Sequence, residues 1–341
     1  MEIRKIQFTG KASYIITLPK QWIKDSKVKK GDQVKIIRTG KILQVQPYNS
    51  NVQEEKKIAV FEIDSEDKPE TVIRKLISCY FLGFKTIQIK PKSRMKPNQR
   101  TAVKNAVRHR LMGAEIVSES IEGMTIQIML NQVELSVDGA LKRMVHLIKS
   151  MLSDAILALR EENYELAEEV ISTDDEVDRF GFHIIRQLEI IIQNENIRQE
   201  IGLHDIRDCL GYRLIVKSVE RTGDHIITLA EDLLEFKKKI KNDVIDLLEV
   251  MAKVAISKLD DSCLALYKGD YTLAEKTISG ASEILKFDKK LGDYTRKTQD
   301  DETVYRIRRM SESIKRISEY ANDISEIVLN MNVQKILKQP R

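Results

Sequence analysis

Two pairs of carboxylates in the second half of the chain have spacing that could do chemistry. Asp174 and Asp178 are four residues apart in TDDEVD, and Glu220 and Asp224 are four apart in VERTGD. Residues i and i+4 share one face of a helix. Two such faces on adjacent helices would present four oxygen ligands to one cation. An all-oxygen set suits a hard ion: Mg, Mn, Ca or Fe. His225 or His183 would add nitrogen for iron, nickel or zinc. Solvated acidic faces carry the same spacing, so spacing alone does not separate a metal site from a charged surface. A metal-dependent phosphohydrolase would use such an ion to activate water. No general acid, phosphate-binding loop or lysine stands beside these motifs, and the expectation is a chain that is not an enzyme.

Helices have to position these carboxylates. The six prolines are Pro19, Pro47, Pro69, Pro91, Pro97 and Pro340, which leaves residues 98–339 without one. Proline in a helix interior costs about 3 kcal/mol, so this half can form long helices. Leu141, Met144, Val145, Ile148, Met151, Leu152, Ala155, Ile156 and Leu159 follow helical spacing. Ile307, Ile314, Ala321 and Val328 recur every seven residues, interleaved with Met310, Ile317 and Ile324, as in a bundle seam.

This half also repeats itself. Ala158-Leu159, Tyr164, Leu166-Ala167-Glu168 and Ile171-Ser172 return 107 residues later as Ala265-Leu266, Tyr271, Leu273-Ala274-Glu275 and Ile278-Ser279. VERTGDHIITLAE (219–231) aligns with IKRISEYANDISE (314–326) at an offset of 95. Two copies of a three-helix unit follow. The second copy does not keep the carboxylates: Asp174, Asp178, Glu220 and Asp224 align with Ala281, Leu285, Lys315 and Glu319. One metal site is expected, in the first copy. Lys315 would place an ammonium where an ion would sit.

The first half reads differently. Residues 2–9 and 13–18 are strand-like, Pro19 opens a short helix, and 34–37 with 42–45 make a hairpin around Thr39-Gly40. About 46 residues hold too little core to stand alone, and dimerisation is the usual remedy. Asn49–Lys57 reads as a linker. A β-α-β-α-β-β order follows: strand 58–63, helix from Pro69 to about Leu82, strand 85–89, helix 98–112, strands 115–118 and 124–130. The 341 residues carry a net charge of +5, distributed unevenly. Residues 1–50 hold eleven Lys/Arg against three Asp/Glu, whereas 136–341 hold 32 against 38. A basic head suits a polyanion. No apolar run approaches the ~20 residues that span a bilayer, MEIRKIQFTG lacks a signal-peptide core, and Cys79, Cys209 and Cys263 lack metal or disulfide spacing. A cytoplasmic protein is expected.

VERTGDHIITLAE resembles the PhoU signature, a helix carrying E-R-x-x-D-H, and TDDEVD resembles its partner motif. Over about 136–335 the chain is similar to that family's tandem three-helix bundles. The resemblance implies a peripheral regulator of phosphate uptake that acts on a phosphate transporter and a sensor kinase. It also implies metal ions (Fe, Mn, Mg, Zn or Ni) on Asp174, Asp178, Glu220 and Asp224. IRKIQFTGKASYIITLPKQWIK followed by KKGDQVKII resembles the AbrB/SpoVT swapped-hairpin DNA-binding domain. That implies an intertwined homodimer with Arg4, Lys5, Lys11, Lys20 and Lys24 against DNA; Ile23 stands where that family's helix carries a second arginine. A head of this type on a PhoU body resembles an archaeal phosphate-uptake regulator.

The expected organisation is therefore multidomain. It comprises a small β swapped-hairpin, AbrB-like domain (1–48), a small α/β sandwich (57–132), and an all-α PhoU-like pair of three-helix bundles (136–237 and 241–335). The expected function is a dimeric DNA-binding transcriptional regulator of phosphate homeostasis. The alternative is a signalling adaptor of a transporter or kinase whose head only dimerises the chain.

Overall fold

The computed structural model describes residues 2–10, 13–39, 42–48, 58–130, 135–193, 203, 205–236, 238–280 and 282–337. The expected linker 49–57 lies outside them. Contacts divide the chain into two units, Met1–Lys57 and Ile58–Arg341.

In the first unit, strands β1 (Gln7–Thr9) and β2 (Ser13–Ile15) pair antiparallel, with Phe8 opposite Tyr14. Helix α1 (Lys20–Asp25) follows Pro19, and β3 (Val34–Thr39) pairs antiparallel with β4 (Ile42–Pro47). Strands β1 and β2 are shorter than the runs that predict them, β3 and β4 each extend two residues further, and their order is the expected one. None of the described residues of this unit is buried. Ile3, Ile6, Phe8, Tyr14, Ile16, Ile36, Ile42 and Leu43 all lie more than half exposed.

The second unit begins with a four-stranded sheet. Strands β5 (Ile58–Ile63), β6 (Thr86–Pro91), β7 (Ala114–Ser120) and β8 (Gly123–Ile128) lie in the order β5-β6-β8-β7. The β5–β6 pair is parallel and the other pairs are antiparallel. Helices α2 (Pro69–Phe81) and α3 (Pro97–Arg110) each open on the proline that predicts them. They cover one face, where Val72, Leu76, Tyr80, Val103 and Val107 meet Ile63, Ile87, Ile89 and Ile126. Gly123 turns the β7–β8 hairpin at φ 144; a Cβ there would stand 2.3 Å from the Ile89 carbonyl oxygen.

The helices follow: α4 (Val137–Glu161), α5 (Tyr164–Gln193), α6 (Asp208–Glu235), α7 (Asn242–Lys268), α8 (Tyr271–Ser279), α9 (Ser282–Thr295) and α10 (Asp301–Asn332). Ser136 caps α4 by accepting from the Gly139 N–H, and Asp300 caps α10 by accepting from the Thr303 N–H. Every apolar position named above on α4 and α10 is buried, in a single core shared by both copies. One expectation fails. The second helix of the second copy is split into α8 and α9, whereas its counterpart α5 is continuous. Gly280 ends α8, at the position that aligns with Thr173 inside α5. Glycine in a helix interior costs about 1 kcal/mol relative to alanine.

The α/β part rests on α5. Phe81 and Phe182 stack edge to face at 5.2 Å. The buried Arg186 guanidinium donates to the carbonyls of Tyr80 and, at 3.0 Å, Phe84, and lies over the Tyr80 ring at 4.8 Å. Tyr80 lies in the last turn of α2, where its carbonyl also accepts from the Gly83 N–H at 3.1 Å, and Phe84 lies in the turn that follows the helix. A second buried ion group joins the two copies. The Asp232 side chain, fully enclosed, accepts from Arg306 at 2.8 Å and Arg309 at 2.7 Å.

Replacing Arg186 by Met takes the charged donor from the Phe84 carbonyl and one of two donors from the Tyr80 carbonyl. Urea denaturation of R186M should report a loss of about 3 kcal/mol. R186K should recover only part of it, because an ammonium cannot span two carbonyls as a planar fork does.

Candidate functional site

The TDDEVD segment lies on α5 and the VERTGD segment on α6, and these helices pack along each other. The four carboxylates share one field. Burial pushes the Asp174 carboxyl up to about 6, helped by the charges of Asp224, Asp175 and Glu220. Burial pushes Asp178 further, to about 7, with Asp174 and Glu220 adding to it. Arg110, at the end of α3, opposes both shifts. It is held there by an ion pair to Asp175 at 3.1 Å.

Asp174 Oδ1 is buried and has no hydrogen-bond partner among the described residues. A Cβ at Gly223 would stand 3.3 Å from that oxygen, so the glycine keeps the space before it open. Glu220 Oε1 accepts from Lys217 at 2.5 Å. The donor set is therefore all oxygen, crowded, and short of positive charge, which fits a hard cation. The spacing does not yet close around one: among the described residues, no three His, Cys, Asp or Glu side chains stand where they could hold a metal ion. Neither histidine joins the carboxylates. His225 Nδ1 faces Ser313 Oγ at 3.5 Å beside the Tyr320 ring, and His183 Nε2 faces the Leu135 carbonyl at 3.5 Å.

No pattern along the chain points to Arg110. It lies 65 residues before its partner, on an element with no carboxylate motif. In the second copy, Lys315 sits 2.7 Å from Glu312 Oε2 and 3.9 Å from Asp288 Oδ2. Glu319 pairs with Arg316 at 2.7 Å, and Ala281 lies outside the described residues.

In the first unit, Arg4, Lys5, Lys20 and Lys24 are exposed. Arg4 pairs with Glu2. Lys20 and Lys24 lie one turn apart on α1. Lys11 lies outside the described residues.

The family model for the PhoU domain matches residues 141–233 and 248–328, about half of the chain. The chain belongs to the PhoU family. A second model, described as the antidote-toxin recognition MazE, bacterial antitoxin, matches residues 7–53, so the head is MazE/AbrB-like. The phosphate-specific transport system accessory protein PhoU homolog of Aquifex aeolicus is 30% identical over 141 residues, 40% of this chain and 60% of that protein. The chain thus spans less than two thirds of that relative's length. PhoU homolog 1 of Thermotoga maritima, with the same description, is 25% identical over 211 residues, 58% of this chain and 86% of that protein. The crystal structure of PhoU from Pseudomonas aeruginosa shares the fold of the helical part. Its TM-score is 0.50 at 20% identity, over 58% of this chain and 96% of that one. Among the described residues no helix is long and apolar enough to cross a membrane.

The raised carboxyls give this PhoU chain a pH signature. An unfolded aspartate titrates near 4. Between there and about 7 the folded chain holds protons that the unfolded chain has lost. Stability from these groups therefore falls as pH rises through that window. In chelator-treated protein, thermal melts should show D178N melting above wild type at pH 8, with the difference narrowing toward pH 5.

Proposed function

We propose that the chain is a dimeric, DNA-binding regulator of phosphate uptake, its PhoU body reporting phosphate status. The observation that carries this reading is the head. It holds an excess of eight positive charges within residues 1–50, none of its described residues is buried, and Ile3, Ile6, Phe8, Tyr14, Ile36 and Leu43 are among its exposed apolar side chains. Exposed apolar surface on that scale marks an interface, and a small domain without a core needs a partner to fold. A second copy of the head supplies one, and two copies double the positive charge offered to a polyanion.

Phosphate contacts supply most of the affinity in such a complex and make it depend on salt. Arg4, Lys5, Lys11, Lys20 and Lys24 are assigned to the DNA surface. Sequencing of genomic fragments retained at rising salt should enrich regions upstream of phosphate-transport genes. In K11A/K20A the log–log salt slope should become shallower by about 2 per protomer. An unchanged slope would remove those lysines from the DNA surface.

A hard divalent cation is assigned to Asp174, Asp178, Glu220 and Asp224. The crowded field and the partnerless Asp174 Oδ1 support that assignment. When bound, the ion would supply positive charge to this layer and lower the carboxyls that burial raises. Elemental analysis should find metal in the wild-type chain and in E319A. It should find none in E220A/D224A, and equal loss in both variants would refute the one-site assignment.

A further inference from the structure

The second helical copy holds a cleft that the carboxylate site does not explain. It opens between α9 and α10, takes in Lys315 at the position aligned with Glu220, and has a volume of about 410 Å³. That is the small end of the range for ligand pockets. Its charged lining is Lys289, Arg296, Arg308 and Lys315 against Asp288 and Glu312. Four cations against two anions is a net positive site, and it lies in a stretch, residues 136–341, where acids outnumber bases.

The cations differ in how far they are committed. Lys315 is held by Glu312, and Arg296 pairs with Asp293 at 3.2 Å. Lys289 and Arg308 are exposed, and neither has an ion-pair partner within 4 Å among the described residues. Ser311, buried at the floor, donates to Asp288 Oδ1 at 2.8 Å and fixes that carboxylate in the wall. Asp288 Oδ2 stands 3.9 Å from Lys315, beyond hydrogen-bond distance, and so keeps an acceptor position for a ligand.

We propose that this cleft binds inorganic phosphate as the hydrogen phosphate ion. Lys289 and Arg308 supply charge-assisted donors, and a guanidinium fork matches two oxygens of a tetrahedral oxyanion. Asp288 supplies selectivity. Hydrogen phosphate carries a P–O–H group that donates to Asp288 Oδ2. Sulfate carries no proton at neutral pH, and a phosphate monoester dianion carries none either, so each would set an oxygen lone pair against the carboxylate. One copy of the repeat thus gathers carboxylates that suit a cation, and the other gathers cations that suit an anion. Lys315 stands where the first copy has Glu220. The site rests on the chemistry of its lining; its role as the sensor rests on the regulatory reading above.

The test is calorimetric titration of the full chain, in chelator, with inorganic phosphate, sulfate and glycerol 2-phosphate in turn. The chelator keeps a metal ion in the first copy from bridging phosphate to the protein. Phosphate should bind at one site per chain, with sulfate and the monoester at least tenfold weaker. K289A/R308A should weaken phosphate at least tenfold without shifting Tm, since both side chains are exposed. D288N should bring sulfate to within a few-fold of phosphate, because an amide can donate where the carboxylate only accepts. Absence of saturable phosphate binding would overturn the proposal, as would phosphate affinity untouched by K289A/R308A. Sulfate or monoester binding as tight as phosphate in the wild-type chain would overturn it as well. Binding to operator DNA is measured separately. A chain that binds DNA but not phosphate sinks this inference alone, and one that binds phosphate but not DNA sinks the regulatory reading alone.

Discussion

A buried guanidinium makes the second unit a single body. Arg186 sits in the last third of α5, donates to the carbonyls of Tyr80 in the last turn of α2 and of Phe84 just beyond it, and stacks on Tyr80, which is itself part of the core beneath the sheet. Burial lowers its affinity for the proton, and a charge is tolerated there only because two carbonyl dipoles and an aromatic face replace water. Around it the surfaces fit closely. Gly83 has φ 81, and a Cβ there would stand 3.0 Å from Ile190 on α5. With the α/β part fixed on α5, Arg110 is carried to the edge of the carboxylate layer, where it answers Asp175 and tempers the field on Asp174 and Asp178.

That layer shows how a duplicated unit can diverge without changing its fold. Both copies bury the same kind of apolar seam, and both contribute to one core. The apolar positions are constrained by packing, since one methylene more or less is felt there. The polar positions between the helices are not so constrained, and there the copies have gone opposite ways. The first crowds carboxylates around Asp174. The second places Lys315 among Asp288 and Glu312, with Lys289 and Arg308 beside it. Where charge had to be buried between the copies, it was paired: Asp232 has a guanidinium on either hand. Losing one partner of such a group is far costlier than losing a surface pair.

The head obeys a different constraint. Its alternating strands place apolar side chains on both sides of short hairpins, and no described element of the unit covers them. A domain of this size holds little core of its own. Its strand order was readable from alternation and turns, while a core was not: none of its described residues is buried.

Much of the rest was set by the sequence alone. Local rules were sufficient for the strand 58–63, for helices opening at Pro69 and Pro97, for the seam of α10 and for the repeat, because periodicity, proline and caps act within a few residues. The shared face of the two acids within each of TDDEVD and VERTGD was foreseeable for the same reason, since i, i+4 spacing fixes a face; that the two faces meet was fixed by the packing of α5 on α6. Only the tertiary structure decided the inclusion of Arg110 in the carboxylate layer, the turning of His225 toward Ser313 and the cleft between α9 and α10. Each depends on what another element brings within a few ångströms, and that proximity is fixed by the packing of helices rather than by any pattern along the chain.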